Sequence, residues 1–293
     1  MSSTQQPPEY RYQIYNKIIS LDFAIPFLSE IDSKKNPDIN IVKNRLIYNA
    51  DFKDGYTLDK ERAFYSKGSF IQTKHSKDGV IEYFLSNDLS DHDKSFKLLS
   101  HPMALSLVIG GSYVLHSSAI EINKKAYVFI GPSGSGKSYM VNSLLKYGRL
   151  MTEDILSCNY KNESFSATPS IPVIKLKQGE LKDDNENFEI HGDTRDRNGF
   201  IVKDFDYKNT PVKIEACFIL KESKNTDISK CDEIDAYKNL LLNSFCALPK
   251  NKCLESEKKL MADISLFIKT VPIYKYERRK DHNVANLLKF LAL

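Results

Sequence analysis

The segment AYVFIGPSGSGKSYMVNSLLKYG, residues 126–148, determines how the chain is expected to fold. Its first five residues are apolar or aromatic and predict a buried strand, and the residues after Lys137 place Met140, Val141 and Leu144 on one face of a helix. Between strand and helix, residues 131–138 fit the pattern Gly-x-x-x-x-Gly-Lys-Ser with a surplus glycine. Strand, glycine-rich loop and helix in this order predict a phosphate-binding loop.

The chemistry of phosphate binding accounts for these residue types. Glycines allow successive backbone N–H groups to curve around phosphate oxygens, and the N-terminus of the helix adds a favourable dipole. We expect Lys137 to reach the β- and γ-phosphates of ATP and the Ser138 hydroxyl to coordinate Mg²⁺. The residues expected to bind the nucleotide are Gly131, Ser133, Gly134, Ser135, Gly136, Lys137, Ser138 and Tyr139. The alternative is a serine-rich turn that caps the helix, but a cap needs one serine and explains neither three glycines nor the lysine.

Composition and charge exclude several classes of protein. The 293 residues include 42 Lys and Arg against 38 Asp and Glu, a net charge of +4, and 41% are hydrophobic, which excludes a collagen-like or wholly disordered chain. This charge excess is too small and too evenly spread to predict a nucleic-acid partner. No window reaches 18 apolar residues and the first residues do not resemble a signal peptide, so we expect a cytoplasmic protein without a membrane partner. The five cysteines form no Cys-x-x-Cys pair and are expected to be reduced thiols.

The hydrophobic pattern divides the chain into two regions. Residues 1–92 contain short alternating runs, which predict a mainly antiparallel β region that packs on the rest. Residues 93–293 mix helical and strand patterns and predict an α/β catalytic core around the phosphate loop. Within this core, YVLHSSAIEI and RLMTEDILSCNY are each interpreted as strand. Residues 178–199 are rich in Asp, Asn, Glu and Gly and predict a mobile surface loop.

One histidine is placed near the loop by the arithmetic of a hairpin. If YVLHSSAIEI and AYVFI pair antiparallel through a turn at Asn123 and Lys124, paired residue numbers add up to about 247 or 248. His116 then faces Gly131 or Pro132, where it can influence proton transfer or bind a phosphate oxygen. The alternative is a strand histidine whose hydrogen bonds are satisfied within the fold.

An acidic pair, Glu153 and Asp154, follows the loop helix. Phosphoryl transfer needs a carboxylate that holds Mg²⁺ and usually one that accepts the proton of the attacking hydroxyl. Adjacent strand residues point to opposite faces, so both carboxylates can serve one site only near a strand end or at a kink. The alternative is an exposed acidic pair at a strand edge.

The segment LHSSAIEINKKAYVFIGPSGSGKS, with RLMTEDIL after it, resembles the HPr kinase/phosphorylase family and its HPr-kinase-like relatives, including kinases of lasso-peptide precursors. The resemblance spans about residues 115–155. It implies a phosphoenolpyruvate-carboxykinase-like α/β core with a mixed sheet. It also implies that the loop holds nucleotide phosphates and that His116 assists proton handling. Glu153 stands at the position of the carboxylate that activates the substrate serine, and Asp154 stands at the metal-binding position.

Some family features have no counterpart that we find in this sequence. Glu153 replaces an Asp, and its longer side chain leaves open that Asp154 is the base instead. The later metal-binding glutamate and the segment associated with phosphorolysis are missing, so a reverse reaction is not expected. The first 87 residues also do not resemble the domain that precedes the kinase in the bifunctional enzymes.

The function expected from these observations is an ATP- and Mg²⁺-dependent kinase that phosphorylates a serine hydroxyl of a peptide or protein. Lys137 and Mg²⁺ would neutralise the developing charge, and Glu153 or Asp154 would receive the proton. A kinase of a small hydroxyl-bearing metabolite and a non-catalytic nucleotide-binding regulatory module remain the alternatives. Arg195, Arg197, Arg278 and Arg279 either meet a carboxylate of the acceptor or are solvated surface charges. The sequence leaves open whether the protein forms a homo-oligomer.

Overall fold

The computed structural model describes residues 9–58, 61–67, 70–86, 89–177, 188–194, 197–202, 205, 210–245, 254–279 and 284–293. The chain forms two compact units, unit 1 with Met1–Ser112 and Leu248–Glu257, and unit 2 with Tyr113–Ala247 and Lys258–Leu293. The first division therefore lies at Ser112, whereas the sequence pattern placed it at residue 92. The difference arises because the two helices between these positions pack with unit 1.

The described residues of unit 1 form seven strands in one mixed sheet, a short 3-10 helix (Arg45–Ile47) and two α-helices. The strands are β1 (Tyr10–Ile14), β2 (Lys17–Leu21), β3 (Ile39–Lys43), β4 (Gly55–Leu58), β5 (Arg62–Lys67), β6 (Ile71–Ser76) and β7 (Val80–Leu85). Their order in the sheet is β1-β2-β3-β7-β6-β5-β4. The pairs β2/β3 and β3/β7 are parallel and the other four are antiparallel. Helices α1 (Asp91–Leu98) and α2 (His101–Ile109) follow, and α2 contacts β5 and β6.

Unit 1 encloses a titratable side chain, His75 on β6. The side chain is fully buried, and burial lowers the pKa of His75 to about 3 because the charged imidazolium would lose its hydration. Its Nε2 atom lies 2.7 Å from the hydroxyl of Thr73 on the same strand. His75 is therefore a neutral core residue.

Unit 2 contains residues 126–148, with the glycine-rich loop. Its strands are β8 (Tyr113–His116), β9 (Ser118–Ile122), β10 (Lys125–Ile130), β11 (Arg149–Thr152), β12 (Ile155–Lys161), β13 (Ser164–Thr168), β14 (Val173–Lys177), β15 (Phe188–Thr194), β16 (Arg197–Val202), β17 (Val212–Glu222), β18 (Asp227–Lys230) and β19 (Ile273–Arg278). Its helices are α3 (Lys137–Leu144), α4 (Glu233–Asn243), α5 (Leu254–Thr270) apart from its first four residues, and α6 (Ala285–Leu291).

The described strands of this unit form two sheets. The larger has nine strands in the order β11-β9-β10-β17-β13-β12-β8, with β19 beside β17 and β18 beside β19. The pairs β10/β17 and β17/β19 are parallel, so the carboxyl ends of these three strands meet at one edge. The smaller sheet has the order β14-β16-β15. The fold is mixed α/β with mixed sheets.

The side chains of β10 alternate between two cores. Val128 and Ile130 join a cluster with Leu240 of α4 and Phe267 of α5. Phe129, one residue away, joins the opposite cluster, which contains residues of α3 and α6. Both faces of the strand are thus buried, which explains its almost continuous apolar sequence and fixes the position at which its loop begins.

Three features of unit 2 also differ from the sequence-based expectations. YVLHSSAIEI forms two strands, β8 and β9, which separate at Ser117 and pair with different partners. RLMTEDILSCNY likewise forms β11 and β12, separated by the acidic pair. The segment 178–199, predicted to be a mobile loop, contains β15 and the start of β16, whereas residues 178–187 and 195–196 lie outside the described residues. Phe188 and Ile190 alternate with polar residues, a strand pattern that the polar composition concealed.

Candidate active site

The glycine-rich loop joins the end of β10 at Ile130 to the start of α3 at Lys137. Its tip, residues 132–134, is exposed, whereas Gly131 and Lys137 at its two ends are buried. Gly131 has a φ of +150°, and a Cβ atom there would lie 2.9 Å from the carbonyl oxygen of Leu220 on β17. This close approach of two backbones requires glycine, and the loop is open to solvent at its tip.

Lys137 and Asn243 hold the first residue of the loop. The Nζ atom of Lys137 donates a hydrogen bond to the carbonyl oxygen of Gly131 at 2.9 Å. On the other side of the same residue, the Gly131 N–H donates to Oδ1 of Asn243, at the end of α4, at 3.2 Å. The ammonium group is therefore kept next to the loop, and its side chain is directed back over the loop and not into solvent.

Ser138 and Glu153 form the contact that links the loop to the acidic pair. The Ser138 hydroxyl donates a hydrogen bond to Oε1 of Glu153. Glu153 is only 8% exposed, and its backbone carbonyl accepts a hydrogen bond from the hydroxyl of Ser118 on β9 at 2.9 Å. A buried carboxylate held in this way beside a loop hydroxyl provides two neighbouring oxygen ligands.

The acidic pair lies at a break between β11 and β12. Such a break allows both carboxylates to serve one site, because adjacent residues within a strand would point to opposite faces. The break is held by Thr152, whose hydroxyl donates to the carbonyl oxygen of Ile155 at 2.7 Å and accepts from the hydroxyl of Ser170 at 2.9 Å. The strand pattern is interrupted there, so Glu153 and Asp154 are directed toward different partners.

Asp154 contacts two cationic or titratable side chains. Its Oδ1 lies 2.9 Å from Nδ1 of His116, and its Oδ2 lies 3.4 Å from Nζ of Lys175 on β14. The Asp154 side chain is 32% exposed and that of His116 is 47% exposed, so this part of the site is accessible from solvent. The ring of Phe245 packs edge-on against the His116 imidazole, with 6.0 Å between centroids.

The position of His116 corrects the hairpin arithmetic in part. β9 and β10 pair with residue numbers that add up to 247, from Lys125 with Ile122 to Phe129 with Ser118. The chain leaves this pairing at Ser117, so His116 belongs to β8 and faces Ile155 of β12, not Gly131 or Pro132. It enters the site through Asp154 and not from beside the loop.

Arg278, at the end of β19, contacts the loop from the side of β10 on which β17 and β19 lie. Its Nη2 atom donates to the carbonyl oxygen of Ser135 at 2.8 Å, and its guanidinium lies over the ring of Tyr139, 5.9 Å from the centroid. The residue is 7% exposed, so it is not a solvated surface charge. Arg279 is exposed, Arg195 lies outside the described residues, and nothing is described of the Arg197 side chain.

The donor set at Ser138 and Glu153 is consistent with Mg²⁺. No group of three His, Cys, Asp or Glu side chains that could hold a metal ion occurs in the described part of the chain. Mg²⁺ bound with a nucleotide, however, usually takes one or two protein oxygens and completes its shell with phosphate oxygens and water. A hydroxyl and a carboxylate in direct contact satisfy that requirement.

The sequence pattern did not identify Lys175 and Asn243 as residues of the site. It also did not place Arg278 at the loop. Each reaches the loop or the acidic pair from an element distant in the sequence. Arg278 was noted only as one of several arginines. No local motif marks these residues, because their roles depend on strand order and on where α4 ends.

Two further observations concern the rest of the chain. The described cysteines, Cys158, Cys217 and Cys231, are free and buried, and burial raises the pKa of each thiol. Cys246 and Cys253 lie outside the described residues. Among the described residues, no helix is both long and apolar enough to cross a membrane.

Comparisons with known proteins find similar folds among solved structures and no matching family model. No model of a protein family matches the chain, and a search of curated proteins finds no match. Among solved structures, the chain is similar to the HPr(Ser) kinase/phosphatase from Coxiella burnetii, with 11% sequence identity over 61% of this chain and 93% of that chain and a TM-score of 0.32. A similarity of this size carries no argument about family or activity, so the resemblance noted in the sequence stays a prediction.

Proposed function

We propose that this protein transfers the γ-phosphoryl group of ATP, with Mg²⁺, to a serine hydroxyl of a peptide or protein. The observation that carries the proposal is the contact between Ser138 of the glycine-rich loop and Glu153, with Asp154 as the next residue. A phosphate-binding loop, a carboxylate at its hydroxyl and a second, more exposed carboxylate are the parts that phosphoryl transfer requires.

The loop binds the nucleotide. The backbone N–H groups of the loop after Pro132 surround the phosphates, and Lys137 exchanges its bond to the Gly131 carbonyl for a phosphate oxygen when the nucleotide binds. Its ammonium group then neutralises charge that develops on the transferred group. Lys137 is already next to the loop, so this exchange needs only a change of side-chain torsion angles.

Glu153 and Ser138 would hold Mg²⁺. Held there, the ion would supply positive charge that offsets the negative charge of the phosphates. This assignment differs from the one that the family resemblance implies, in which Asp154 is the metal ligand. The contact with Ser138 favours Glu153, because Ser138 is the loop residue whose hydroxyl is expected at the metal.

Asp154 would accept the proton of the attacking hydroxyl. It is more exposed than Glu153, so an acceptor from solvent can reach it. His116 contacts one carboxylate oxygen of Asp154 and Lys175 contacts the other, and together they orient the carboxylate. His116 is thus a positioning residue for Asp154 in this proposal, and Lys175 has the same role.

The acceptor class rests on the resemblance to peptide-modifying relatives of the HPr kinases. The experiment incubates the purified protein with labelled ATP, Mg²⁺, serine-containing peptides, free serine and sugars, and analyses the products by mass spectrometry. We expect phosphate on a peptide serine and none with the Lys137→Met variant as control. Phosphate on a free metabolite alone would contradict the peptide assignment, and ATP binding without any phosphorylated product would contradict the kinase assignment.

A further inference from the structure

We infer that Arg278 is a further residue of the nucleotide site, whose guanidinium binds a phosphate oxygen of the loaded loop. This inference rests on the proposed function only in that it assumes a phosphate ligand. Four observations support it, and each concerns the side of the loop opposite Glu153.

The first observation is the position of Arg278 in the sheet. It is the last residue of β19, which is parallel to β17, and β17 is parallel to β10. The carboxyl ends of parallel strands meet at one edge of a sheet, so Arg278 is brought to the loop that follows β10. Ligands of α/β proteins bind at this edge.

The second observation is the incomplete hydrogen bonding of a buried cation. Arg278 is 7% exposed, and its Nη2 donates to the Ser135 carbonyl, but its Nη1 is buried with no partner. The hydroxyl of Ser135 is also buried without a partner. Within the part of the chain that the structure describes, the Arg278 side chain has no carboxylate partner. Burying a guanidinium without a counter-charge costs folding free energy, and a bound anion would remove this cost by pairing with the charge.

The third observation is that Gly136 leaves room for the arginine. A Cβ atom at Gly136 would lie 1.7 Å from Nη2 of Arg278. Gly136 also has a φ of +89°, a backbone conformation that by itself favours glycine. The loop therefore admits the guanidinium at the residue that immediately precedes Lys137, where the phosphates are expected.

The fourth observation is the orientation of the guanidinium. The guanidinium lies over the Tyr139 ring and donates to the Ser135 carbonyl, so it is held beside the loop before any ligand binds. A guanidinium fork suits a phosphate, which accepts two parallel N–H bonds. Both atoms without partners are enclosed in the free protein. Binding therefore requires the Ser135 peptide to move, and the glycines at 134 and 136 permit this movement.

The test measures binding of inorganic tripolyphosphate and of ATP by calorimetry for the wild type, Arg278→Gln and Arg278→Lys. The glutamine keeps a donor for the Ser135 carbonyl and removes the charge, whereas the lysine keeps the charge and loses the fork. We expect Arg278→Gln to lose about 10- to 100-fold in affinity for both ligands, the range of a charge-assisted hydrogen bond. Arg278→Lys is expected to lose less, because its ammonium group still attracts phosphate.

Arg279→Gln is the matched control, because it removes the same charge from the adjacent, exposed residue. It is expected to keep wild-type affinity. Circular dichroism and thermal melting of each variant check that it folds. If Arg278→Gln does not fold, Arg278→Lys decides the matter, and a loss of about threefold or more for tripolyphosphate is then expected.

The possible results separate failure of this inference from failure of the proposed function. Wild-type affinity of Arg278→Gln would mean that the arginine only holds the Ser135 carbonyl. A loss for ATP but not for tripolyphosphate would move the contact to the base or ribose. Tripolyphosphate binding by the wild type that depends on Arg278, without any phosphorylated product, would leave the inference standing and contradict the proposed kinase. Absence of binding by the wild type would overturn both.

Discussion

The acidic pair divides the site into two sides whose environments differ although the residues are adjacent. The loop side, made of Lys137, Ser138 and Glu153, is largely buried and its polar groups bind one another or the loop. The histidine side, made of His116, Asp154 and Lys175, is more exposed and pairs a carboxylate with two groups that carry or accept positive charge.

This difference indicates how one strand break can supply two functions. Burial and a hydroxyl partner suit Glu153 to a metal ion that stays with the nucleotide, whereas exposure and two orienting partners suit Asp154 to a hydroxyl that arrives with the acceptor. We therefore expect substitutions on the two sides to affect different measurable quantities. The following predictions begin with the largest effect.

Lys137→Met is expected to reduce turnover by roughly 1,000-fold or more, because the loop side would lose the charge that neutralises the transferred phosphoryl group. The measurement is phosphate transfer under saturating ATP. Lys146→Met, an exposed lysine just after α3, is the control and should keep wild-type turnover. Near-normal turnover of Lys137→Met would exclude the loop as the reaction centre.

Asp154→Asn is expected to lower turnover by about 100- to 1,000-fold, the contribution of a positioned general base. ATP affinity should stay within about twofold of wild type, because Asp154 lies on the histidine side. Steady-state kinetics together with nucleotide binding separate the two quantities. A variant that loses ATP affinity but keeps its turnover would reverse our assignment of the sides.

His116→Ala is expected to reduce turnover by about tenfold, since the carboxylate of Asp154 would lose one of the groups that orient it. The effect should disappear in the Asp154→Asn background, because His116 acts through Asp154. A double-mutant cycle measures this coupling. Equal tenfold losses in both backgrounds would show that His116 acts independently of Asp154.

A second histidine, His75 of unit 1, provides the contrast with His116. Its folded pKa of about 3 lies below the usual unfolded value of about 6.5, so only the unfolded chain binds this proton between those values. Stability is fully present above pH 6.5 and falls as the pH decreases toward 3, on the order of 1 kcal/mol per pH unit. Activity is not expected to depend on His75.

The measurement is chemical unfolding of wild type and His75→Leu at several values between pH 4.5 and 7. The variant should show a shallower decline in stability toward low pH by about that amount. His101→Leu, which removes an exposed histidine, is the control and should keep the wild-type slope. Identical slopes in wild type and His75→Leu would contradict the neutral, buried state of His75.

The sequence predicted the parts of the site that depend on local order. The apolar run before Gly131 and the helical spacing after Lys137 identified β10 and α3, and the hairpin turn gave the register of β9 and β10 as far as Ser118. Asn123 and Lys124 have φ values of +52° and +61°, as a two-residue hairpin turn requires. Local pattern was sufficient for these elements.

Local pattern was not sufficient where the site depends on distant contacts. His116 faces β12 because the chain changes partner at Ser117, a residue that gives no turn signal. Lys175 reaches Asp154 from another sheet, and Arg278 reaches the loop because β19 lies beside β17. The parallel pairs of unit 1 were missed for the same reason, since only hairpins can be inferred from neighbouring segments.

The central claim is that Glu153 serves the metal and Asp154 the proton. A Mg²⁺ titration of phosphate transfer in wild type, Glu153→Gln and Asp154→Asn, run side by side at saturating ATP, tests it most directly. We predict that Glu153→Gln needs about tenfold more Mg²⁺ for half-maximal rate, whereas Asp154→Asn keeps the wild-type midpoint at a much lower maximal rate. A raised Mg²⁺ midpoint in Asp154→Asn with an unchanged midpoint in Glu153→Gln would contradict the account.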